Sequence, residues 1–205
     1  MIVRAGAVLV VAYLCGAIPF ANIAARRLRG VDLRSVGTGT VSGSGLYRVA
    51  GFGPLAVAGL LDVLKGTVGP FLAGPEHPLL AALAGGSAVV GHNWSVFLRG
   101  AGGRGISPAL GALLVQAWPG VIVLGAALGI GKLLGHTGLG TFIGLLAIVP
   151  VLGVLGGRHD AFAALCVALP IAVKRLTGNT PLPPMERARV LRNRALFDHD
   201  GRAGE

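Results

Sequence analysis

Residues 2–25 read IVRAGAVLVVAYLCGAIPFANIAA, a run in which Arg4 is the only charged residue. A helix needs about 20 apolar residues to cross a bilayer core of about 30 Å, so this run is long enough to span a membrane. It lacks a small-residue cleavage site before Pro19 and Arg26, which argues against a cleavable signal peptide. The run therefore predicts a retained first membrane span.

Six further apolar segments follow the first one: Gly53–Ala73, Leu79–Phe97, Ile106–Trp118, Val121–Leu134, Leu139–Gly156 and Ala161–Val173. The composition agrees, because 53% of the 205 residues are hydrophobic and only 13% are charged, whereas soluble domains carry about 25% charged residues. The mean hydropathy is +0.75. We predict an all-α fold, a multi-pass membrane helix bundle with about seven transmembrane helices. Glycines inside these segments, such as Gly69 and Gly125, are interpreted as helix-packing residues.

The number of spans depends on residues 106–134, which could form two short helices with a turn at Pro119-Gly120 or one long kinked helix. Two helices put the basic loops and the basic carboxyl-terminal residues on one side of the membrane. Because Lys and Arg concentrate on the cytoplasmic side, the charges favour seven spans with the amino terminus outside. We predict a membrane domain over residues 1–178 and a basic cytoplasmic tail over 179–205, lying on anionic headgroups.

The formal net charge of +10 would suggest a nucleic-acid-binding protein if the chain were soluble. Here the basic residues lie between and after apolar segments, and aromatic residues make up only 5% of the chain, so no nucleic-acid partner is predicted. The five histidines show no close pairing, and no metal or cofactor is predicted. The sequence does not indicate an oligomeric state.

Residues 36–45, VGTGTVSGSG, alternate glycine with hydroxyl residues and are followed by an arginine. Glycines let backbone N–H groups converge on an anion, hydroxyls add donors, and an arginine can pair with phosphate through two hydrogen bonds. The alternative is a flexible glycine-serine linker. The candidate phosphate-binding residues of this first loop are Gly37, Thr38, Gly39, Thr40, Ser42, Ser44 and Arg48.

A second glycine-rich loop, RGAGGRG at residues 99–105, contributes Gly102, Gly103, Arg104 and Gly105. Ionisable residues also lie within the predicted spans, namely Asp62 with Lys65 on one helix face, and His92 near the end of the third span. Such residues are usually paired or functional, so a structural Asp62–Lys65 pair and a scaffold histidine stay open as alternatives. Two such loops on one membrane face indicate a substrate that carries phosphate.

These motifs resemble, in order over residues 13–111, the PlsY family of acyl-phosphate:glycerol-3-phosphate acyltransferases. The resemblance rests on YLCGAIPF at 13–20, GVDLR at 30–34, GTG at 37–39, Arg48, DVLKG at 62–66, GH at 91–92, VF at 96–97, GGRG at 102–105 and ALG at 109–111. It implies an enzyme of phospholipid synthesis in a bacterial cell membrane, with its active site and tail facing the cytoplasm. The enzyme would transfer a fatty acyl group from acyl phosphate to glycerol 3-phosphate, giving lysophosphatidic acid without a cofactor.

In the scheme that this resemblance implies, Thr38, Arg48 and Arg104 are the catalytic residues. The residues that bind substrate phosphate are Gly37, Gly39, Thr40, Ser42, Ser44, Lys65, His92, Gly102, Gly103 and Gly105.

The chain departs from the family pattern near its last predicted span. Alignment of Arg175-Leu176 with the family's Arg-Leu pair puts Leu169 and Ala172 where the family has a histidine and an asparagine. Two alternatives therefore stay open, a different phosphorylated acceptor and a catalytically impaired paralogue that is a non-enzymatic membrane partner of lipid synthesis. A small transporter of a phosphorylated solute is a third, although the sequence lacks obvious internal repeats.

Overall fold

The structure, a computed structural model, describes residues 2–180 and 186–198. Within these ranges it contains helices and no strands, which confirms the predicted all-α class. The predictions made for residues 181–185 and 199–205 of the basic tail lie outside the described residues. The helices are α1 (Ile2–Ala17), α2 (Phe20–Arg29), α3 (Gly43–Ala50), α4 (Phe52–Ala73), α5 (Pro78–Asn93), α6 (Ile106–Gln116), α7 (Pro119–Leu133), α8 (Thr137–Thr177) and α9 (Arg187–Phe197).

In the part of the chain that the structure describes, three helical segments are long and apolar enough to cross a membrane: Ile2–Arg29, Phe52–Ala73 and Thr137–Thr177. Helices α6 and α7 are shorter apolar helices, separated at residues 117–118, with Pro119 in the first turn of α7. The early residues of α6 and Leu128 of α7 line the same cavity, so these two helices form a hairpin, as the two-helix interpretation predicts.

Two breaks divide the longest segments. The predicted first span is interrupted at Ile18-Pro19, where a proline lacks the N–H that would continue the helix, so that α2 begins at Phe20. Helix α8 is broken at Gly157, whose φ of 79° lies in a region that residues with a side chain rarely adopt. Residues of both halves line one cavity, so the chain turns back at Gly157 and the two halves of α8 run in opposite directions. With the halves of α8 counted separately, residues 2–180 make seven passes through the bundle, which is compatible with the prediction of about seven transmembrane helices.

Small residues let the helices touch through their backbones. A Cβ atom added to Gly111 of α6 would collide with the carbonyl of Val63 on α4, and one added to Gly69 would collide with Ala12 and Ala84. This is the packing device expected where lipid gives no hydrophobic drive between helices. The interpretation was wrong for Gly125, because a Cβ atom added there would meet no atom of the described residues within 4 Å.

The passes bring residues 30–51, 99–105, 134–136 and 178–180 to one end of the bundle, called here the loop end. At the opposite end, the Arg4 side chain donates to the carbonyl of Ala73, and α8 turns at Gly157. Among the described residues outside the helix bundle's interior, Lys and Arg concentrate at the loop end, with Arg4 and Arg158 at the other. All of the candidate phosphate-binding loops therefore share one end.

Candidate active site

The first loop is anchored at its start by Asp32. The Asp32 carboxylate accepts hydrogen bonds from the backbone N–H of Arg34, at 3.0 Å, and from the side chains of Arg34 and Arg26. Chiefly through the Arg34 side chain, these contacts hold the pKa of Asp32 well below its usual value, so the carboxylate stays ionised. Arg26 and Arg34 lie close to the candidate site, but their side chains bind Asp32 and hold the start of the first loop in place.

The middle of the first loop gathers hydroxyl groups at the start of α3. The backbone has positive φ at Gly37 and Gly39, and the Thr38 hydroxyl donates to Thr40 Oγ1 over 2.9 Å. Ser42 caps α3 by accepting from the N–H of Gly45. The amino terminus of a helix favours an anion, through its dipole and its free N–H groups. The loop thus presents hydroxyls where an anion is stabilised.

The second loop packs against the end of α5 and joins the first loop. Gly103 donates its N–H to the carbonyl of His92, and Gly102 accepts from the N–H of Val41 over 3.1 Å. A Cβ atom at Gly102 would collide with the His92 and Asn93 carbonyls, and one at Gly103 with the His92 ring. A side chain at either position would displace the loop, because Gly102 lies directly on the α5 backbone and Gly103 lies against the His92 ring.

A cavity of about 170 Å³ lies between the two loops. The three predicted catalytic residues, Thr38, Arg48 and Arg104, all line it. Arg48 is exposed and makes no hydrogen bond or ion pair within the described ranges, whereas Arg104 is largely buried and its Nε lies 3.0 Å from Asp198 Oδ1. The rest of the lining consists of Val36, Gly37, Thr40, Ser42, Ser44, Gly45 and Asp198. This cavity is called here the phosphate cavity.

A second cavity of about 270 Å³ adjoins the phosphate cavity, since Ser42, Ser44, Arg104 and Asp198 line both. It extends into the bundle to the predicted residues His92 and Gly105, and also to Asp62 and Arg175. We call it the inner cavity.

Lys65 lies outside the linings of both cavities. Its Nζ is 2.7 Å from Asp62 Oδ1 and donates to the carbonyl of Ile18, also over 2.7 Å. The structure therefore shows the Asp62–Lys65 pair, one of the alternatives that the sequence left open. Through its bond to Ile18, Lys65 also connects α4 to the break between α1 and α2. His92 Nδ1 lies 3.8 Å from Asp62 Oδ1, so the histidine stands between this pair and the second loop.

Asn179, which sequence analysis missed, connects the two loops. Its amide donates to the carbonyl of Gly102 over 3.0 Å and, with longer bonds of 3.3 and 3.4 Å, to the Gly39 carbonyl and Thr40 Oγ1. Its oxygen accepts from Nζ of Lys174, which is 1% exposed. The predicted domain boundary assigned Asn179 to the tail. The available signal was its position directly after Gly178, the glycine that ends α8.

Replacing Asn179 with alanine should lower kcat/KM for the acyl transfer that the resemblance implies by about tenfold. The two loops would lose the side chain that fixes their separation, and each lost hydrogen bond costs about 1 kcal/mol. Asn179→Asp, which keeps an acceptor for Lys174 but loses the amide donors, should behave similarly. Thr177→Ala, an exposed position in the same segment, is the matched control. Steady-state kinetics of the three variants at equal folded amounts provides the measurement. Wild-type kinetics in Asn179→Ala would contradict this role.

Leu169 and Ala172 line a separate, mainly apolar cavity of about 290 Å³ between the two halves of α8. Arg175, which is 3% exposed, lines both this cavity and the inner cavity. Its Nη2 donates to the carbonyls of Gly138 and Ala195, over 3.0 and 2.9 Å. The mainly apolar cavity and the inner cavity thus meet at one buried arginine.

Fold and site together define a class, a multi-pass helical membrane protein whose loop end carries a cavity of hydroxyls and arginines suited to phosphate. A family model described as glycerol-3-phosphate acyltransferase matches residues 6–179. The chain belongs to the glycerol-3-phosphate acyltransferase family.

Individual relatives agree with this family. Glycerol-3-phosphate acyltransferase 5 of Dehalococcoides mccartyi is 34% identical over 93% of this chain and 87% of its own length. Glycerol-3-phosphate acyltransferase 2 of Moorella thermoacetica is 46% identical over 53% of this chain, a match that spans 57% of that relative. The crystal structure of PlsY, an integral membrane glycerol 3-phosphate acyltransferase, in its glycerol 3-phosphate form superposes with a TM-score of 0.76 and 26% identity over 93% of both chains.

Proposed function

We propose that this protein transfers a fatty acyl group from acyl phosphate to the first hydroxyl of glycerol 3-phosphate. The hydroxyl oxygen bonds to the acyl carbonyl carbon, and the bond between that carbon and the phosphate oxygen breaks. The products are lysophosphatidic acid and inorganic phosphate, and the hydroxyl proton leaves with the phosphate, so that atoms and charge balance.

The observation that carries this proposal is that Thr38, Arg48 and Arg104, from separate segments of the sequence, line one cavity. Both substrates bear phosphate, and charge-assisted bonds from arginine to phosphate are about twice as strong as neutral ones. Arg48, whose guanidinium has no partner within the described residues, is available to one phosphate. Arg104, where the phosphate and inner cavities meet, is assigned to the other.

The same groups would stabilise the transition state. Negative charge develops on the acyl carbonyl oxygen and on the departing phosphate, and fixed donors aimed at such charge often supply the largest share of catalysis. The Thr38 hydroxyl is held by its bond to Thr40, and the Ser42 hydroxyl by the N–H of Gly45, so both hydroxyls need little reorganisation. His92 is proposed to hold the second loop in position by packing against Gly103. Lys65 is proposed to hold Asp62, which lines the inner cavity.

The acyl chain would lie in the apolar cavity lined by Leu169 and Ala172, with Arg175 at the junction with the inner cavity. A different phosphorylated acceptor is a second candidate. Leu169 and Ala172 line an apolar surface at the positions where the family, by resemblance, has polar side chains.

We propose that the loop end faces the cytoplasm of a bacterial cell membrane. Among the described residues, basic side chains concentrate at this end, and the positive-inside rule assigns such an end to the cytoplasm. Acyl phosphate and glycerol 3-phosphate would then reach the site from the cytoplasm. Asn179 and Asp198, which the predicted boundary assigned to the tail, act together with the membrane domain, because both contact the loops.

Growth rescue tests this function in a bacterium that has been deprived of its own acyl-phosphate-dependent glycerol-3-phosphate acyltransferase. Wild-type protein should restore growth, and Arg48→Ala should not, although both accumulate in the membrane to the same level. Arg158→Ala, which removes a charge at the opposite end, is the control and should restore growth. Failure of correctly inserted wild-type protein to restore growth would favour a non-enzymatic partner of lipid synthesis or a different acceptor.

A further inference from the structure

Helix α9 docks on the end of α8 through a buried arginine. Arg194 is 1% exposed, and its guanidinium donates to the carbonyls of Thr177 and Thr180 over 2.8 and 3.0 Å, and to Thr180 Oγ1 over 2.8 Å. Arg175 adds a bond from α8 to the carbonyl of Ala195. An arginine this buried, with several backbone acceptors, fixes α9 in position. The end of α9 is therefore held against the loop end of the bundle.

This docking delivers Asp198 to the phosphate cavity. Asp198 lies four residues after Arg194, directly beyond α9, and its Oδ1 is 3.0 Å from Nε of Arg104. Among the described residues that line the phosphate cavity, Asp198 is the one with a carboxylate. The remaining polar lining consists of hydroxyls and the two arginines. The Asp198 carboxylate is thus paired with Arg104, one of the two arginines that would bind an anion in this cavity.

We propose that Asp198 is a specificity-determining residue, an internal anion that competes with substrate phosphate for Arg104. A ligand that enters the cavity either displaces the Asp198 carboxylate or shares Arg104 with it and is repelled. A doubly charged phosphate can replace the carboxylate through two charge-assisted bonds, whereas a singly charged anion gains less. Asp198 therefore raises the KM for glycerol 3-phosphate and excludes weaker anions from the cavity.

This competition is a feature of the carboxyl-terminal segment. Residues 6–179 match the family model, and Asp198 lies beyond them. Because Arg194 anchors the helical turn that precedes Asp198, docking of α9 sets the strength of the competition. The assignment of the natural ligand as glycerol 3-phosphate rests on the proposed function, whereas the competition itself concerns any phosphate in the cavity.

Asp198→Asn is the direct test, because asparagine is nearly isosteric and tolerates the positive φ of 62° found at this position. We expect the Kd of inorganic phosphate, measured by calorimetry on the full chain in detergent, to fall about tenfold, a common size for coupling between two ligands. The ratio of the Kd of acetate to the Kd of inorganic phosphate should become smaller than in the wild-type protein. The KM for glycerol 3-phosphate should fall in parallel. Asp160→Asn, at the opposite end, is the matched control.

Arg194→Ala provides a second variant, since release of α9 should also lower the Kd of phosphate, and Arg189→Ala, which removes an exposed arginine from the same helix, should not. Unchanged phosphate affinity in both Asp198→Asn and Arg194→Ala would overturn the proposal. Loss of turnover in Asp198→Asn without tighter phosphate binding would also overturn it, because Asp198 would then act in catalysis. If Asp198→Asn binds phosphate more tightly but the wild-type protein forms no lysophosphatidic acid, the competition is supported and the proposed function is refuted.

Discussion

Replacing Arg104 with alanine should lower kcat/KM for acyl transfer by about 10²–10³-fold, the usual loss when one preorganised donor to developing negative charge is removed. The Arg104 side chain is only 14% exposed and lines both the phosphate cavity and the inner cavity. Water can therefore replace it poorly. Initial rates with varied glycerol 3-phosphate, in proteoliposomes that contain equal amounts of folded protein, provide the measurement.

Two variants sharpen the Arg104 test. Arg104→Lys keeps the positive charge but loses the fork of donors, so its activity should lie between those of wild type and Arg104→Ala. Arg158→Ala should retain wild-type kinetics, because Arg158 lies at the opposite end of the bundle. A kcat/KM for Arg104→Ala within about fivefold of wild type would contradict the assignment of Arg104 to the transition state.

Gly111→Ala should destabilise the folded protein by about 3 kcal/mol, the upper part of the usual range for overpacking. The added Cβ would collide with the carbonyl oxygen of Val63, and backbone atoms cannot move aside as a flexible side chain can. Helix α4, which carries the Asp62–Lys65 pair, would have to separate from α6. The fraction of protein recovered as a monodisperse species from detergent, together with its thermal midpoint, measures the effect.

The matched control for Gly111 is Gly125→Ala on α7, where the added Cβ has no heavy atom within 4 Å. Alanine favours helix over glycine by about 1 kcal/mol, so this variant should be at least as stable as wild type. Equal thermal midpoints for Gly111→Ala and Gly125→Ala would contradict close backbone packing between α4 and α6.

The sequence was sufficient to predict the helical bundle and the meeting of the two glycine-rich loops. Charge alone indicated that residues 106–134 form two helices, since only that topology gathers the basic segments at one end. The predicted first span ran through Pro19, because the mostly apolar run continues beyond the proline to Ala25. The path of the chain there depends on tertiary contacts, such as the bond from the Leu33 N–H to the side chain of Asn22.

The residues that complete the site were harder to predict because their partners are distant in sequence. Asn179 bonds to groups in loops 77 to 140 residues away, and nothing local to it indicates those partners. Lys174 and Arg194 were interpreted as topology or headgroup charges, yet each is 1% exposed and hydrogen-bonded within the protein. A basic composition predicts lysine and arginine side chains on the protein surface, and only the tertiary structure shows which of these side chains are buried.

The most direct test of the proposed function is transfer of label from radioactive glycerol 3-phosphate into lipid, by purified wild-type protein in proteoliposomes supplied with acyl phosphate. We expect labelled lysophosphatidic acid to form with release of one inorganic phosphate for each acyl group transferred. Lipid-associated label no greater than that in protein-free liposomes, with protein that is folded and inserted, would contradict the proposed function.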